Sequence, residues 1–479
     1  MATWTNSDGL RIRFAREEAS SNLDGGSVSE GYKTYNVVSA GAIGDGVTDS
    51  TTAFQRCITA AERFAPYGIV EVPEGTYLVS GLTITKKINI FGKGKLHSVI
   101  KLKDGSNTSV FTYTGETTGA SYANLQPQLR DIGVNGNKAN QSGTSHGIYF
   151  PDVAYSVDTD YAFSLSIFEC DIRDCLTNGI RIGNNRNAGN FTRGSVKDCG
   201  SSGIHIGSAS DWHLHHFGSG GNGGYGVYNV GGQSLRIFDP DIYSNTLSGI
   251  RMDSTANGMW VTGGSIDRNY QNGVYLAGDS GSPYDRRTVF IGTKFYKNSM
   301  EGTNQYSHFY LNDHYGGAAI GCLFDQDASV NAKYIVNFNG ASGRFRLTDC
   351  LWNRNAAPWG TALTDNFIEL IQSGNSSMYD TASAVTAAGT TISDAFSLVY
   401  PINRVSTGAA NSGVKLPTAS YHGQSVHVTN TTGNTILVYP QSTQQINGGG
   451  NGVSSSLSNG SGREYRYDAT IPSWYSYVR

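Results

Sequence analysis

Along the middle of the chain, a glycine followed by alternating apolar and polar residues keeps returning. It reads Asn-Gly-Ile-Arg-Ile at 178–182, Ser-Gly-Ile-His-Ile at 202–206 and Tyr-Gly-Val-Tyr at 225–228. Ser-Gly-Ile-Arg-Met follows at 248–252 and Asn-Gly-Val-Tyr-Leu at 272–276. The glycines Gly179, Gly203, Gly226, Gly249 and Gly273 lie 24, 23, 23 and 24 residues apart. His-Gly-Ile-Tyr at 146–149 is an earlier copy if one coil carries an insertion. Alternation of period two predicts strands, and a fixed period in this range predicts a solenoid. A unit with one apolar face and no partner cannot fold alone, so successive units must stack. The pattern predicts a parallel β-helix.

A second strand per coil is expected around Ile172, Val196, Ile242 and Ile266, each seven residues before a repeat glycine. Val134, Phe295, Phe324 and Leu351 read as the same inward position in flanking coils. Three residues further on stand Asn137, Asn245, Asn269 and Asn298, with Asp327, Cys175 and Cys199 at equivalent places. Asparagine tolerates the left-handed backbone of a sharp corner, and its amide can bond to its counterpart one coil away.

The pattern changes at both ends. Ala53, Phe54, Cys57, Ile58 and Ala61 recur at helical spacing, with Asp49 or Ser50 as N-cap. One short amphipathic helix here is expected to cap the open end of the stack. Residues 111–128 and 152–163 read as excursions, the second carrying Tyr155, Asp158, Asp160 and Tyr161 above a groove. The expected division is an N-terminal leader or attachment segment at 1–35, the β-helix at 36–360, a linker at 361–412 and a small antiparallel β-sandwich at 413–479. The fold class is therefore all-β.

Composition narrows this only a little. Charged residues are 15% and glycines number 61 in 479 residues, a mix for strands and tight turns rather than coiled coil or disorder. A net charge of −3 gives no reason to expect nucleic-acid binding. No apolar run approaches ~18 residues, so no membrane insertion is expected. Residues 1–16 are polar, so no conventional secretion signal is expected. Cys175 and Cys199 are expected to stack as reduced thiols.

Three stretches carry a family resemblance. They are Ala-Ile-Gly-Asp-Gly-Val-Thr-Asp at 42–49 with the helix after it, Val-Pro-Glu-Gly-Thr-Tyr at 72–77, and Phe-Gly-Lys-Gly at 91–94. Together they resemble the start of pectate-lyase-superfamily β-helices, a group that includes bacteriophage tailspike depolymerases. The resemblance implies a right-handed β-helix. It further implies a homotrimer on a virion tail, attached to other tail proteins through its N-terminal segment and acting on a bacterial surface polysaccharide. The C-terminal residues resemble terminal β-modules of phage tail proteins, which implies trimerisation or carbohydrate contact.

Two outward ladders could supply the chemistry, with strands stacked ~4.8 Å apart. The first is Tyr149, Arg181, His205, Tyr228, Arg251 and Tyr275, a set suited to gripping an acidic polysaccharide. The second flanks the other strand: Glu169 and Asp239 lie three before the inward residue, Asp171 and Asp241 one before, and Tyr243 and Asp267 one after. Between them stands Trp-His-Leu-His-His at 212–216, whose Trp212 and His215 are candidate sugar contacts. Glycosidic cleavage needs an acid and a base or nucleophile. Asp241 and Asp267 are expected roughly 8 Å apart on the diagonal, inside the spacing of about 6.5–9.5 Å used by inverting hydrolases. Asp171 and Asp174 form a second candidate pair. The histidines lack zinc-motif spacing, so neither metal nor cofactor is expected. Hydrolysis of a bacterial surface polysaccharide is the leading expectation. Uronate lyase chemistry through Arg181, His205, Tyr228 and Arg251 is the alternative. A non-catalytic adhesin and a cellular pectin- or alginate-type enzyme are the others.

Overall fold

The computed structural model describes residues 32–115, 127–153, 165–278, 288–302, 402–419 and 422–478, shorter stretches between 305 and 398, and three short strands before residue 30. The chain winds into a right-handed parallel β-solenoid of three sheets, followed by a separate small β domain. In chain order, one coil runs through Ser166–Phe168 in sheet I, Asp171–Arg173 in sheet II and Ile180–Ile182 in sheet III. These sheets hold 14, 13 and 11 strands. The recurring glycine phrase is sheet III, and the second expected strand is sheet II. Sheet I was not expected, because its inward residues (Leu129, Ile167, Phe191, Leu214, Ile237) follow no constant motif.

The corners explain the repeat. From Arg130 onward two residues separate each sheet I strand from the next sheet II strand. Among the described residues the first of the two is left-handed: Asp131, Glu169, Arg193, His216, Asp239, Gly263, Gly292, Gly321 and Asp349. At the corner between sheets II and III, Asn222, Asn245, Asn269 and Asn298 stack with no exposure. Their amides bond head to tail, Asn222 Nδ2 to Asn245 Oδ1, Asn245 to Asn269 and Asn269 to Asn298, each at 2.9 Å. The second Nδ2 hydrogen of Asn245, Asn269 and Asn298 goes to the carbonyl of Ser219, Ile242 and Ile266. The left-handed turn belongs to the preceding residue (Ser244, Arg268, Lys297) and not to these asparagines; Asn137 alone takes it itself. Asn222 escaped the sequence pattern because its coil has Ser219 in place of an apolar residue. Cys175 and Cys199 sit at the same corner as free thiols; Asp327 lies outside the described residues.

The repeat glycines are required by space. A Cβ on Gly249 would lie 2.8 Å from the Gly273 carbonyl oxygen, from Asn269 Nδ2 and from Ile266 Cγ2. Gly249→Ala is expected to destabilise the solenoid by about 1–3 kcal/mol, read as a lower urea midpoint. A shift within about 0.5 kcal/mol of zero would refute this packing.

The helix Thr51–Glu62 buries Ala53, Phe54, Cys57, Ile58 and Ala61. Ser50 occupies the N-cap position without capping; the Asp49 carboxylate accepts the Thr51 N–H at 3.0 Å instead. Gln55 bonds both ways to the Thr83 backbone, at 2.9 and 3.1 Å, on the first strand of sheet III.

Three expectations need correction at the C-terminal end. Leu351 pairs with Leu323 on the outward row and is 39% exposed, so the partner of Phe324 in the ladder is Trp352 instead. The strands of the stack continue to Ile368–Ser373 and Ser376–Ser377. The stretch read as a linker also holds Thr381–Thr386, Phe396–Ser397 and Ile402–Thr407, which belong to the two sheets of the C-terminal domain. Those sheets mix parallel and antiparallel pairs, since the chain at first alternates between them as successive coils do. Their core includes Val405, Val428, Val438, Tyr465 and Trp474. Most of 1–35 and all of 154–164, with Tyr155, Asp158, Asp160 and Tyr161, lie outside the described residues.

Candidate functional site

From Arg130 onward the constant corner lies between sheets I and II, and the large length variation flanks sheet III. Sheet III is followed by connections of 14 residues at 114–127 and 15 at 151–165, against three at 230–232. It is preceded by 12 residues at 136–147 and six in each of the next five coils. In solenoids such variation collects around the working face.

The outward row of that face runs in register through Thr112, Tyr149, Arg181, His205, Tyr228, Arg251, Tyr275 and Tyr310. All flank inward isoleucines, valines or their equivalents, so each is turned out by strand alternation alone. Its centre is a hydrogen-bonded cluster. Arg251 Nε donates to Asp253 Oδ1 at 2.6 Å and Nη1 donates to Tyr225 Oη at 2.6 Å. Tyr228 Oη donates to Asp253 Oδ2 at 2.5 Å. The Arg251 Cζ lies 4.9 Å from the Tyr275 ring centre and 5.3 Å from those of Tyr225 and Tyr228. Arg181 donates to the Ile182 carbonyl and lies 4.0 Å from Asp152.

Electrostatics divide the roles within the cluster. Burial opposes the Arg251 charge, yet the bonds to Asp253 and Tyr225 outweigh it and hold the guanidinium more firmly protonated than usual. Burial, helped by the bond to Asp253, pushes the Tyr228 phenol up to about 12. Burial, helped by Arg181 and His146, brings His205 down to about 4. The His205 and Tyr228 rings are 4.8 Å apart. A fixed cation, a neutral imidazole and a protonated phenol thus stand side by side at neutral pH. Sequence reading missed Asp253, Tyr225 and Asp152. Asp253 was legible as the outward residue two after Arg251.

Sheet II holds the carboxylates in a different arrangement. Asp241 shares a row with Asp171, Ser195 and Ser265, and Asp267 shares one with Arg173, Tyr243 and Tyr296. Asp241 and Asp267 therefore do sit on a diagonal, one coil and two residues apart. Asp241 is exposed and accepts from Ser265 Oγ at 3.2 Å. Asp267 is 13% exposed, pairs with Arg268 at 3.2 Å through Oδ2 and has a buried Oδ1 without a hydrogen bond. Burial, and secondarily Asp241, raise its pKa against the pull of Arg268.

The other carboxylates are otherwise engaged. Asp171 is buried between Arg173 at 3.2 Å and Lys197 at 3.7 Å, and accepts from Ser195. Both of its carboxylate oxygens are thus already engaged. Asp174 is the left-handed corner residue beside it, 3.5 Å from Asn135 Nδ2. Glu169 and Asp239 are left-handed corner residues paired with Arg193 at 3.3 Å and His216 at 3.7 Å. Trp212 is 1% exposed, its indole N–H bonded to the Arg186 carbonyl at 2.6 Å, so it packs the core and offers no sugar platform. His213 and His215 face outward on sheet I, with His215 stacked 4.7 Å from Phe238, and not beside the sheet II carboxylates. Among the described residues, no three His, Cys, Asp or Glu side chains gather as metal ligands would.

Comparison with known proteins places this geometry. A mannuronan C5-epimerase of Azotobacter vinelandii, AlgE2, is 39% identical over 121 residues, 24% of this chain and 12% of the epimerase. A capsule K30/K69-specific depolymerase of Klebsiella phage K64-1 is 24% identical over 365 residues, 71% of this chain and 43% of the depolymerase. The enzymatically active domain of tailspike protein 2 from bacteriophage CBA120 superposes with a TM-score of 0.53 at 16% identity, over 72% of this chain and 49% of the tailspike. The chain thus spans less than half the length of each of these proteins. Residues 34–275, just over half of the chain, match the family model for rhamnogalacturonase A/epimerase, pectate lyase-like proteins. The chain belongs to that pectate lyase-like family.

Proposed function

We propose that this protein binds an acidic polysaccharide of the bacterial surface along sheet III and cleaves it by β-elimination at a uronate. The observation that carries the reading is the Arg251–Asp253–Tyr228 cluster with neutral His205 at its side. Arg251 would hold the uronate carboxylate and stabilise the charge that develops on it. His205 would take the C5 proton, the C4–O bond would break as the C4=C5 bond forms, and the Tyr228 phenol would protonate the leaving oxygen. The epimerase likeness favours C5-proton chemistry, and the phage depolymerase likeness favours chain cutting. From the resemblance of the N-terminal motifs to phage tailspike depolymerases, and from the likeness to a tailspike domain, we infer a homotrimer on a virion tail, joined to other tail proteins through its N-terminal segment, as the setting.

A second reading is hydrolysis on sheet II, favoured by the raised pKa of Asp267 next to exposed Asp241. Incubation with capsular and exopolysaccharides separates the two. Elimination gives shortened chains with ultraviolet absorbance from the new double bond, abolished by Arg251→Met. Hydrolysis gives shortened chains without it, abolished by Asp241→Asn or Asp267→Asn. Retention of polymer without shortening would sink both and leave an adhesin.

A further inference from the structure

A second depression lies on sheet I, near the start of the solenoid. Its volume is about 440 Å³, and its walls include Glu71, Phe91, Lys93, Arg130 and Asp131. That volume falls within the ~300–1,000 Å³ of small-molecule sites. Glu71, Phe91 and Arg130 occupy one outward row on three successive coils, with Phe168 on the next. The Arg130 Cζ lies 5.4 Å from the Phe91 ring centre and 5.8 Å from that of Phe168, and Nε is held by Asp131 at 2.9 Å. Glu71 accepts from Lys93 Nζ at 2.6 Å and from Asn36 Nδ2 at 3.2 Å.

The chemistry of these walls selects a ligand class. Two carboxylates and two cations cancel, and each charge is already paired. An anionic ligand would meet Glu71 and Asp131, and a cationic one Lys93 and Arg130. A neutral polyol meets neither penalty, because fixed carboxylates accept its hydroxyl protons while Lys93 and Arg130 donate to its oxygens. The Phe91 ring supplies an apolar face for the C–H side of a sugar ring. We propose that this cavity is a second saccharide subsite, taking a neutral hexose unit, on a different sheet from the acidic-sugar face.

The test uses the full chain carrying His205→Ala and Asp267→Asn, so that cutting is suppressed under either reading, and titrates cellotetraose, maltotetraose, mannotetraose and tetragalacturonate by calorimetry. At least one neutral tetramer is expected to bind saturably. Phe91→Ala is expected to weaken that binding about tenfold or more, and Arg251→Met to leave it unchanged. Lys93→Ala with Arg130→Gln repeats the test without removing the ring. The proposal is overturned if no neutral tetramer binds. It is equally overturned if binding survives both cavity variants, or if tetragalacturonate is the ligand the cavity variants lose. Cleavage by the unmodified chain is scored separately, so failure here leaves the sheet III reading standing.

Discussion

Replacing His205 by alanine is expected to lower the rate of polysaccharide cleavage by about 10²–10⁴-fold while leaving polymer binding nearly intact. The group must be neutral to accept a proton, and its pKa is brought down to about 4 by burial and by Arg181. Activity should therefore persist from neutral pH downward and fall only as pH drops through about 4. An unshifted imidazole would lose it near 6.5. Tyr228→Phe should give a comparable loss, since in the proposed elimination the phenol held by Asp253 supplies the proton to the leaving oxygen. Arg181→Met tests the electrostatic origin: removing that cation should move the acid limb upward, because a neighbouring positive charge disfavours protonation. Full activity of His205→Ala, or an acid limb near 6.5, would exclude His205 as the base.

Replacing Asn269 by alanine is expected to cost about 3–5 kcal/mol, the largest single stability effect outside gross core deletion. Its Oδ1 accepts the amide of Asn245 and the Asn245 backbone N–H, and its Nδ2 donates to Asn298 and the Ile242 carbonyl. Alanine orphans both the backbone N–H and an amide hydrogen of Asn245 in a corner with no exposure, while Asn298 Oδ1 keeps the backbone N–H of residue 269. Water has no easy route to replace them, so the full desolvation cost is felt. Chemical denaturation reads this as a shifted midpoint. A loss below about 1 kcal/mol would mean that the stack tolerates a broken amide chain.

Much of this fold was legible because a stacked architecture writes its register into the sequence. The repeat glycines mark where a corner side chain from the next coil fills the space, and strand alternation turned Arg181, His205, Tyr228 and Arg251 outward. Sheet I escaped notice because its inward residues range from leucine to phenylalanine, and the two-residue corner before sheet II accepts Asp, Glu, Arg, His or Gly. The ion pairs of Asp171 and Glu169 were not legible, since a sequence does not show which carboxylate meets an arginine or lysine on its own or the next coil. Trp212 misled for a related reason: an aromatic beside histidines reads as a platform until its burial is known.

The unequal corners have a further consequence. The connections at 114–127 and 151–165 leave and re-enter the stack between the same two sheets as the three-residue link at 230–232. Closing a longer loop costs only about 0.6 kcal/mol per doubling. A lineage could therefore exchange those stretches without re-registering a single rung beneath. Grafting them between homologues should leave the solenoid's stability nearly unchanged, so that they behave as a detachable cassette.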